Sequence, residues 1–222
     1  MNKCRAQKES FLQSEGDQWF QRNHPAITTR KYDSGDPIVE SIAQCLSPKL
    51  EVLHDKCTLL EIGCGEAKRL QYLSHSMNIA CYGIEPSAQA VAVAKSAGLT
   101  VVQGTADNLP YPNHMFAVLI FGFCLYLCDR EDLFKIVQEA NRVLKPTGWL
   151  IIQDFFSITP NKNKYHHLSG IYSYKMDYRK LFDWHPDYTC IKHTINAHGS
   201  GDFTDHTNDW VATSVLRKSK IL

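Results

Sequence analysis

Two carboxylates and a pair of glycines carry the strongest chemical signal in this 222-residue chain. Glu61 lies near the end of the apolar run CTLLEI, and Gly63, Cys64 and Gly65 break that run. About twenty residues on, Glu85 and Pro86 end a second apolar run, IACYGIE. A continuous apolar run too short for a helix reads as a strand buried on both faces of a parallel sheet. Glycines after such a strand permit a sharp turn and a close approach of backbone to ligand. The helix expected from Glu66 then aims free N–H groups at polar ligand atoms. A carboxylate that ends the next strand accepts hydrogen bonds from both hydroxyls of a ribose. Together these residues point to a nucleoside-sized ligand at the carboxyl ends of two adjacent strands.

The ligand is not predicted to be a dinucleotide. The fingerprint G-x-G-x-x-G needs a third glycine at position 68, where this chain has Lys68. Glu61 and Glu66 flank the turn; their charge repels a pyrophosphate and suits a cationic ligand with a free amine. A glycine pair alone also fits a plain tight turn, so the weight rests on its combination with Glu85.

The elements that must position these residues alternate along the chain. Residues 4 to 23 read as one or two helices carrying Phe11, Leu12, Trp19 and Phe20. Asp36-Pro37 opens another helix, with Asp as N-cap and Pro at the first helical position. Strands are expected at 57–62, 79–84, 99–103, 116–123 and 148–154, with helices at 66–76, 87–97 and 130–144 between them. This rhythm predicts a parallel sheet with right-handed crossovers. After Asp154 the segment FFSITPNKNKYHHLSGIYSYKMDY has no clean period. Asp177 then caps a short helix, and strands follow at 189–197 and 210–218.

Four segments, LLEIGCG, YGIEPS, GTADNLPYPNHMFAVLIFGFCLYL and NRVLKPTGWLIIQDF, occur in that order within residues 57 to 155. They resemble the successive motifs of the class I S-adenosylmethionine-dependent methyltransferases, most closely the small "type 11" group. The resemblance implies an α/β fold: a Rossmann-like, seven-stranded, mostly parallel sheet with helices on both faces and an antiparallel last strand. It also implies N-terminal helices and a lid insertion after the fifth strand. The whole chain, 1–222, would then be one methyltransferase domain. Its parts would be an N-terminal helical cap (1–50), a cofactor-binding core (57–155), an acceptor lid (155–187) and a C-terminal β-hairpin (188–222). The implied cofactor is S-adenosylmethionine, which leaves as S-adenosylhomocysteine.

Carried over by position, Glu61, Gly63 and Gly65 line the methionine part, Glu85 binds the ribose, and Ala106 with Asp107 meets the adenine edge. Cys64 and Pro86 belong to the same two motifs. In the family the N-terminal segments often close over the cofactor, which makes Trp19, Arg22, Arg30 and Tyr32 candidates to cover it or bind its carboxylate. Phe121 and Phe123 are candidates to offer π-faces to the sulfonium, with core packing as the alternative. The chain departs from the family pattern in having Tyr126 where many relatives carry His, and in placing Cys64 and Cys124 beside the cofactor positions. Acceptor chemistry therefore does not transfer from a typical member.

A methyl group on a sulfonium is already activated, so the protein must mainly align the acceptor and exclude water. A hydroxyl acceptor gains from a general base of pKa near the working pH, which favours histidine. His167 and His166, in the expected lid, are the first candidates. Neighbouring side chains in an extended segment point to opposite sides, so one of the two would face the cleft. Asp154, at a strand end, and Tyr126 are further candidates. Surface, cap or packing roles are the alternatives for all four. No H-x-x-x-H spacing occurs, and no metal site is expected.

Composition agrees with a globular enzyme. Hydrophobic residues make up 44% of the chain and charged ones 21%, and 24 Lys and Arg balance 23 Asp and Glu. That balance gives no general electrostatic reason to bind nucleic acid or an anionic membrane. Eight cysteines without a C-x-x-C pair suit reduced thiols in a cytoplasmic protein. The N-terminus lacks an apolar core of signal-peptide length, and the longest apolar stretch, Met115 to Cys128, is too short to span a bilayer. The expected function is S-adenosylmethionine-dependent methylation, at oxygen or nitrogen, of a small polar acceptor such as a sugar or secondary metabolite. The alternatives are an NAD-dependent oxidoreductase on a Rossmann-like fold, disfavoured by Lys68, and a non-catalytic methyltransferase-like partner subunit. Nothing in the sequence sets the oligomeric state.

Overall fold

The structure, a computed structural model, describes residues 7–29, 32–46 and 57–219. It opens on a helical arm: α1 (Gln7–Ser10), a wider π turn (Phe11–Glu15) and α2 (Gly16–Thr29). Next comes α3 (Pro37–Leu46), whose first turn is capped as its sequence requires. Asp36 Oδ1 accepts the backbone N–H groups of Ile38 at 3.0 Å and Val39 at 3.1 Å.

The core alternates strand and helix: β1 (Thr58–Ile62), α4 (Lys68–Met77), β2 (Ala80–Glu85), α5 (Ala88–Ser96), β3 (Thr100–Gln103), β4 (Phe116–Gly122), α6 (Leu133–Val143) and β5 (Leu144–Phe155). A hairpin of β6 (Asn161–Lys164) and β7 (Tyr172–Lys175) follows, then α7 (Lys180–Asp183), β8 (Tyr188–Ala197) and β9 (Trp210–Lys218). The main sheet has seven strands in the order β3-β2-β1-β4-β5-β9-β8. β9 runs antiparallel to both its neighbours, whereas the pairs from β3 to β5 are parallel.

β1 lies inside the sheet between β2 and β4, and its continuous apolar run buries both faces. Leu60 and Ile62 pack on the side of α6 and α7, and Leu59 packs on the side of α3, α4 and α5. Each fully buried leucine or isoleucine contributes about 1.5–3 kcal/mol. Strand order reverses at the carboxyl ends of β1 and β4, which is where open α/β sheets form their ligand crevice.

Three local departures from the sequence expectation have physical reasons. Helix α4 begins at Lys68 rather than Glu66 because Gly63, Gly65 and Ala67 all take left-handed backbone, with φ of +73°, +55° and +61°, so the turn consumes two more residues. β5 begins at Leu144 rather than at 148, passing through Pro146 and Gly148 beside a register shift in its pairing with β4. The segment without a period contains the β6–β7 hairpin, paired from Asn161 with Lys175 to Lys164 with Tyr172. β6 is exposed along its whole length and β7 half-buried, so neither shows apolar alternation.

Under the turn after β1 lies a buried charge network. Arg69 of α4 contacts the carboxylates of Glu61, from β1, and of Asp36, the latter at 3.2 Å from Nε. The ring of Tyr32 lies 5.0 Å from its guanidinium carbon. Burial alone would lower the Arg69 pKa, but the two carboxylates outweigh it and raise it, so the guanidinium stays charged. Removing one partner of a buried ion network leaves the others uncompensated, at a cost of about 3–5 kcal/mol. Arg69→Met should therefore lower unfolding free energy in urea by about that amount. A loss no larger than an exposed pair gives would show that the network does not hold the turn.

Candidate functional site

The turn that follows β1 is shaped by close contacts. Gly63 N–H donates to Ile84 O at 2.8 Å, and a Cβ on Gly63 would stand 2.6 Å from Cys124 Cβ, so a side chain has no room there. Across the crevice, the Glu85 carboxylate bridges two turns. Oε2 accepts from Gly65 N–H at 2.9 Å and Oε1 from Ser87 N–H at 3.0 Å. Burial pushes the Glu85 pKa up to about 7, against the pull of these two bonds.

A cavity opens in front of this bridge, with about 810 Å³ of empty space including its mouth. Its floor is Gly63, Glu85, Pro86 and the segment from Gly104 to Asp107. Phe123 and Cys124, just past β4, form one wall, and Lys8, Phe11, Gly16 and Trp19 of the N-terminal arm form the cover. Phe123 takes left-handed backbone, φ +53°, a costly choice for a bulky residue that turns its ring into the cavity wall. At the far end, Asp107 accepts from Thr105 Oγ1 at 2.7 Å and pairs with Lys8 at 2.8 Å; Lys8 also reaches Asp132 at 2.9 Å. Burial would raise the Asp107 pKa, but the bonds from Lys8 and Thr105 prevail and hold it below the usual range.

Buried polar contacts fix the arm, and sequence reasoning missed them. Gln7 donates to Tyr172 O at 2.8 Å and accepts from Tyr172 N–H at 3.1 Å, tying α1 to the hairpin. Asp17 Oδ1 accepts from Ser87 Oγ at 2.7 Å and Gln89 N–H at 3.0 Å, at the start of α5. Glu15, fully buried, pairs with Arg22 and accepts from the Tyr165 hydroxyl at 2.8 Å. The signal available in the sequence was a set of polar residues, Gln7, Glu15 and Asp17, interleaved with Phe11, Trp19 and Phe20 on one arm.

The residues singled out from the sequence divide in space. Gly63, Glu85, Pro86, Ala106, Asp107 and Trp19 line the cavity together. Gly65 lends its N–H to Glu85, and the Cys64 sulfur packs where a Cβ on Gly83 would be. Glu61 turns away to Arg69, so its charge is spent on that guanidinium rather than on a ligand amine. Phe121 is fully buried in the core, 6.4 Å from the Phe182 ring, and Phe123 takes the wall position. Arg22 is engaged by Glu15 and Tyr165, and Tyr32 by Arg69. Arg30 lies outside the described residues.

The four proton-transfer candidates do not converge. Asp154 is buried and caps the turn after β4, accepting from Leu125 N–H at 2.8 Å, Tyr126 N–H at 3.3 Å and Phe155 N–H at 2.8 Å. Burial pushes its pKa up to about 7. Tyr126 packs 4.9 Å from the Phe155 ring; burial and Asp154 raise its phenol pKa, while a hydrogen bond with Trp19 pulls the other way. His166 and His167 are exposed in the turn between β6 and β7, with His167 edge-on to Tyr165 at 5.3 Å. That backbone is a turn, not an extended strand, so the expected alternation of the two rings does not apply. Burial raises the Cys64 and Cys124 thiols well above their ordinary pKa, which keeps them protonated and poor nucleophiles. His198, which the sequence did not single out, packs 5.7 Å from Phe123 and 5.1 Å from Phe155.

Comparison with known proteins agrees with this geometry. Residues 60–152 match the family described as a methyltransferase domain. Among curated proteins, the chain is 32% identical over 101 residues to a fatty-acid O-methyltransferase of Mycolicibacterium smegmatis, covering 43% of this chain and 36% of that protein. The chain thus spans little more than a third of that relative's length. Its fold is similar to the methyltransferase partner in a Haloferax volcanii complex with the Trm112 methyltransferase activator, with a TM-score of 0.64 at 16% identity over 95% of this chain and 99% of that one. It is also similar to a Burkholderia thailandensis 1,6-didemethyltoxoflavin-N1-methyltransferase solved with S-adenosylhomocysteine, with a TM-score of 0.59 at 12% identity over 92% of this chain and 91% of that one. Residues 60–152 thus match a methyltransferase domain, and the fold is that of S-adenosylmethionine-dependent methyltransferases.

Proposed function

We propose that this protein transfers a methyl group from S-adenosylmethionine to an oxygen or nitrogen of a small acceptor, a sugar or secondary metabolite. The observation that carries the proposal is the cavity floor, where the left-handed turn at Gly63 faces the Glu85 carboxylate, with Ala106 and Asp107 beyond. The chain's own groups fit such a ligand. Gly63 lines the cavity with backbone alone, and the Glu85 oxygens, each holding one backbone N–H, keep lone pairs for two ribose hydroxyls. Asp107 and its neighbours would meet the adenine edge. The bound sulfonium supplies a methyl carbon open to attack by an acceptor lone pair.

The remaining tasks fall to the protein. Phe11 and Trp19 exclude water from above the cavity. The β6–β7 hairpin, held to the arm through Gln7 and through Tyr165 with Glu15, is suited to serve as the acceptor lid. The free cysteines fit a reducing, cytoplasmic compartment. Among the described residues no helix is long and apolar enough to cross a membrane.

Two measurements test the proposal. Calorimetry of the purified protein should show heat on titration with S-adenosylmethionine and with S-adenosylhomocysteine, and none with NAD; heat with NAD alone would favour the oxidoreductase, and heat with none a scaffold. The second concerns Glu85, neutral below about pH 7 and ionised above it. Ribose hydroxyls donate better to the carboxylate than to the acid, so affinity for S-adenosylhomocysteine should rise as pH increases through about 7. The expected gain is up to about tenfold per pH unit below the midpoint. Glu85→Gln should bind weakly and lose that pH dependence, whereas an unchanged profile in the variant would remove Glu85 from the cofactor site.

A further inference from the structure

Among the described residues that line the cavity, Lys8 is the only cation, and it stands at the far end with Asp107, Asp129 and Asp132. Its place is fixed through its own backbone and that of its neighbour. Lys8 N–H donates to Asp129 Oδ2 at 3.1 Å, and Gln7, the residue before it, is tied to Tyr172. The ammonium meets Asp107 Oδ2 at 2.8 Å and Asp132 Oδ2 at 2.9 Å, which uses two of its three N–H donors and leaves the third. The bonds to the two carboxylates raise the Lys8 pKa and keep the side chain charged.

Asp107 also has capacity to spare. A carboxylate offers about four acceptor sites, and this one takes Lys8, Thr105 Oγ1 and its own backbone N–H, which leaves one. Lys135 approaches the same carboxylate at 3.7 Å, but its side chain is more than half exposed and lines no part of the cavity. The far end of the cavity thus holds an unused acceptor beside an unused donor, on side chains already in contact.

We propose that Lys8 is a specificity-determining residue for the base of the cofactor: its third N–H donates to a ring nitrogen beside the adenine amino group, while Asp107 accepts from that amino group. This rests on the S-adenosylmethionine reading and deepens it. A carboxylate alone accepts from any amine, so it separates adenine poorly from other amino heterocycles. An ammonium next to it adds the donor that matches the ring nitrogen, and a base without an acceptor there leaves that donor unpaired. The contacts with Asp129 and Asp132 already hold the lysine in place, so directing its third N–H at a base costs little further rotamer entropy. A third of the Lys8 side chain stays exposed, which puts the bond at the weak end of charged hydrogen bonds, about tenfold in affinity. The arm that covers the cavity therefore also reads what lies beneath it.

The test is calorimetry of the full chain with S-adenosylhomocysteine and with two analogues in which CH replaces one or the other ring nitrogen flanking the amino group. No heat with S-adenosylhomocysteine would overturn the cofactor reading itself, and this proposal with it. The wild type should bind one of the two analogues about tenfold more weakly than S-adenosylhomocysteine. Lys8→Met keeps a stem of similar length and removes the donor, so it should lose that difference, whatever its overall affinity. Asp132→Asn loosens the clasp on the arm but leaves the ammonium on Asp107, and it should keep the difference. Equal binding of all three ligands by the wild type would overturn Lys8 as a reader of the base. So would a difference that persists in Lys8→Met. Loss of the difference in Asp132→Asn would assign it to closure of the arm and overturn the proposal as well.

Discussion

The structure depends on one carboxylate that serves two chain turns at once. Glu85 ends β2 and accepts from Gly65, in the turn after β1, and from Ser87, at the cap of α5. A buried acid that draws its hydrogen bonds from backbone fixes the spacing of the two strand ends, because neither N–H has freedom to follow a displaced oxygen. The helices α4 and α5 leave from those same turns, so their directions are set there too. Ser87 in turn caps α5 through its hydroxyl and donates to Asp17 of the arm, which carries the constraint from the sheet to the cover.

That cover makes the cavity an enclosed site rather than an open sheet edge. The arm places Phe11 and Trp19 over the floor, and it is anchored at three places by polar groups: buried Gln7 on β7, buried Glu15 on Tyr165 and half-buried Asp17 on α5. Buried polar groups of this kind specify one docked position, since any sliding of the arm would strand an acceptor or donor away from water. A methyl donor open to attack by water needs such closure. Two of these anchors, Gln7 and Glu15, also join the arm to the β6–β7 hairpin.

The strand and helix order of the core was legible in the sequence because its signals are local. The run TLLEI is buried on both faces, and Asp36-Pro37 caps a helix through contacts two and three residues away. The cavity floor was legible for the same reason: Gly63 and Glu85 act through backbone geometry at strand ends. What escaped depends on distant pairing. Glu61 reads as a ligand for a cation, and the sequence does not reveal that Arg69, the second residue of α4, pairs with it. Phe121 and Phe123 lie two residues apart, one in β4 and one just past it, and the left-handed backbone of Phe123 goes with its place in the cavity wall. His166 and His167 stood out as a pair, and the turn between β6 and β7 leaves both exposed.

The central claim is that Glu85 and the turn at Gly63 together hold a sulfonium nucleoside. A crystal structure of the protein with S-adenosylhomocysteine tests it most directly. The account predicts the ribose hydroxyls on the Glu85 carboxylate, the amino-acid tail against Gly63 and the adenine beside Ala106 and Asp107. Density for the ligand away from Glu85, or a cavity left empty at saturating ligand, would contradict it.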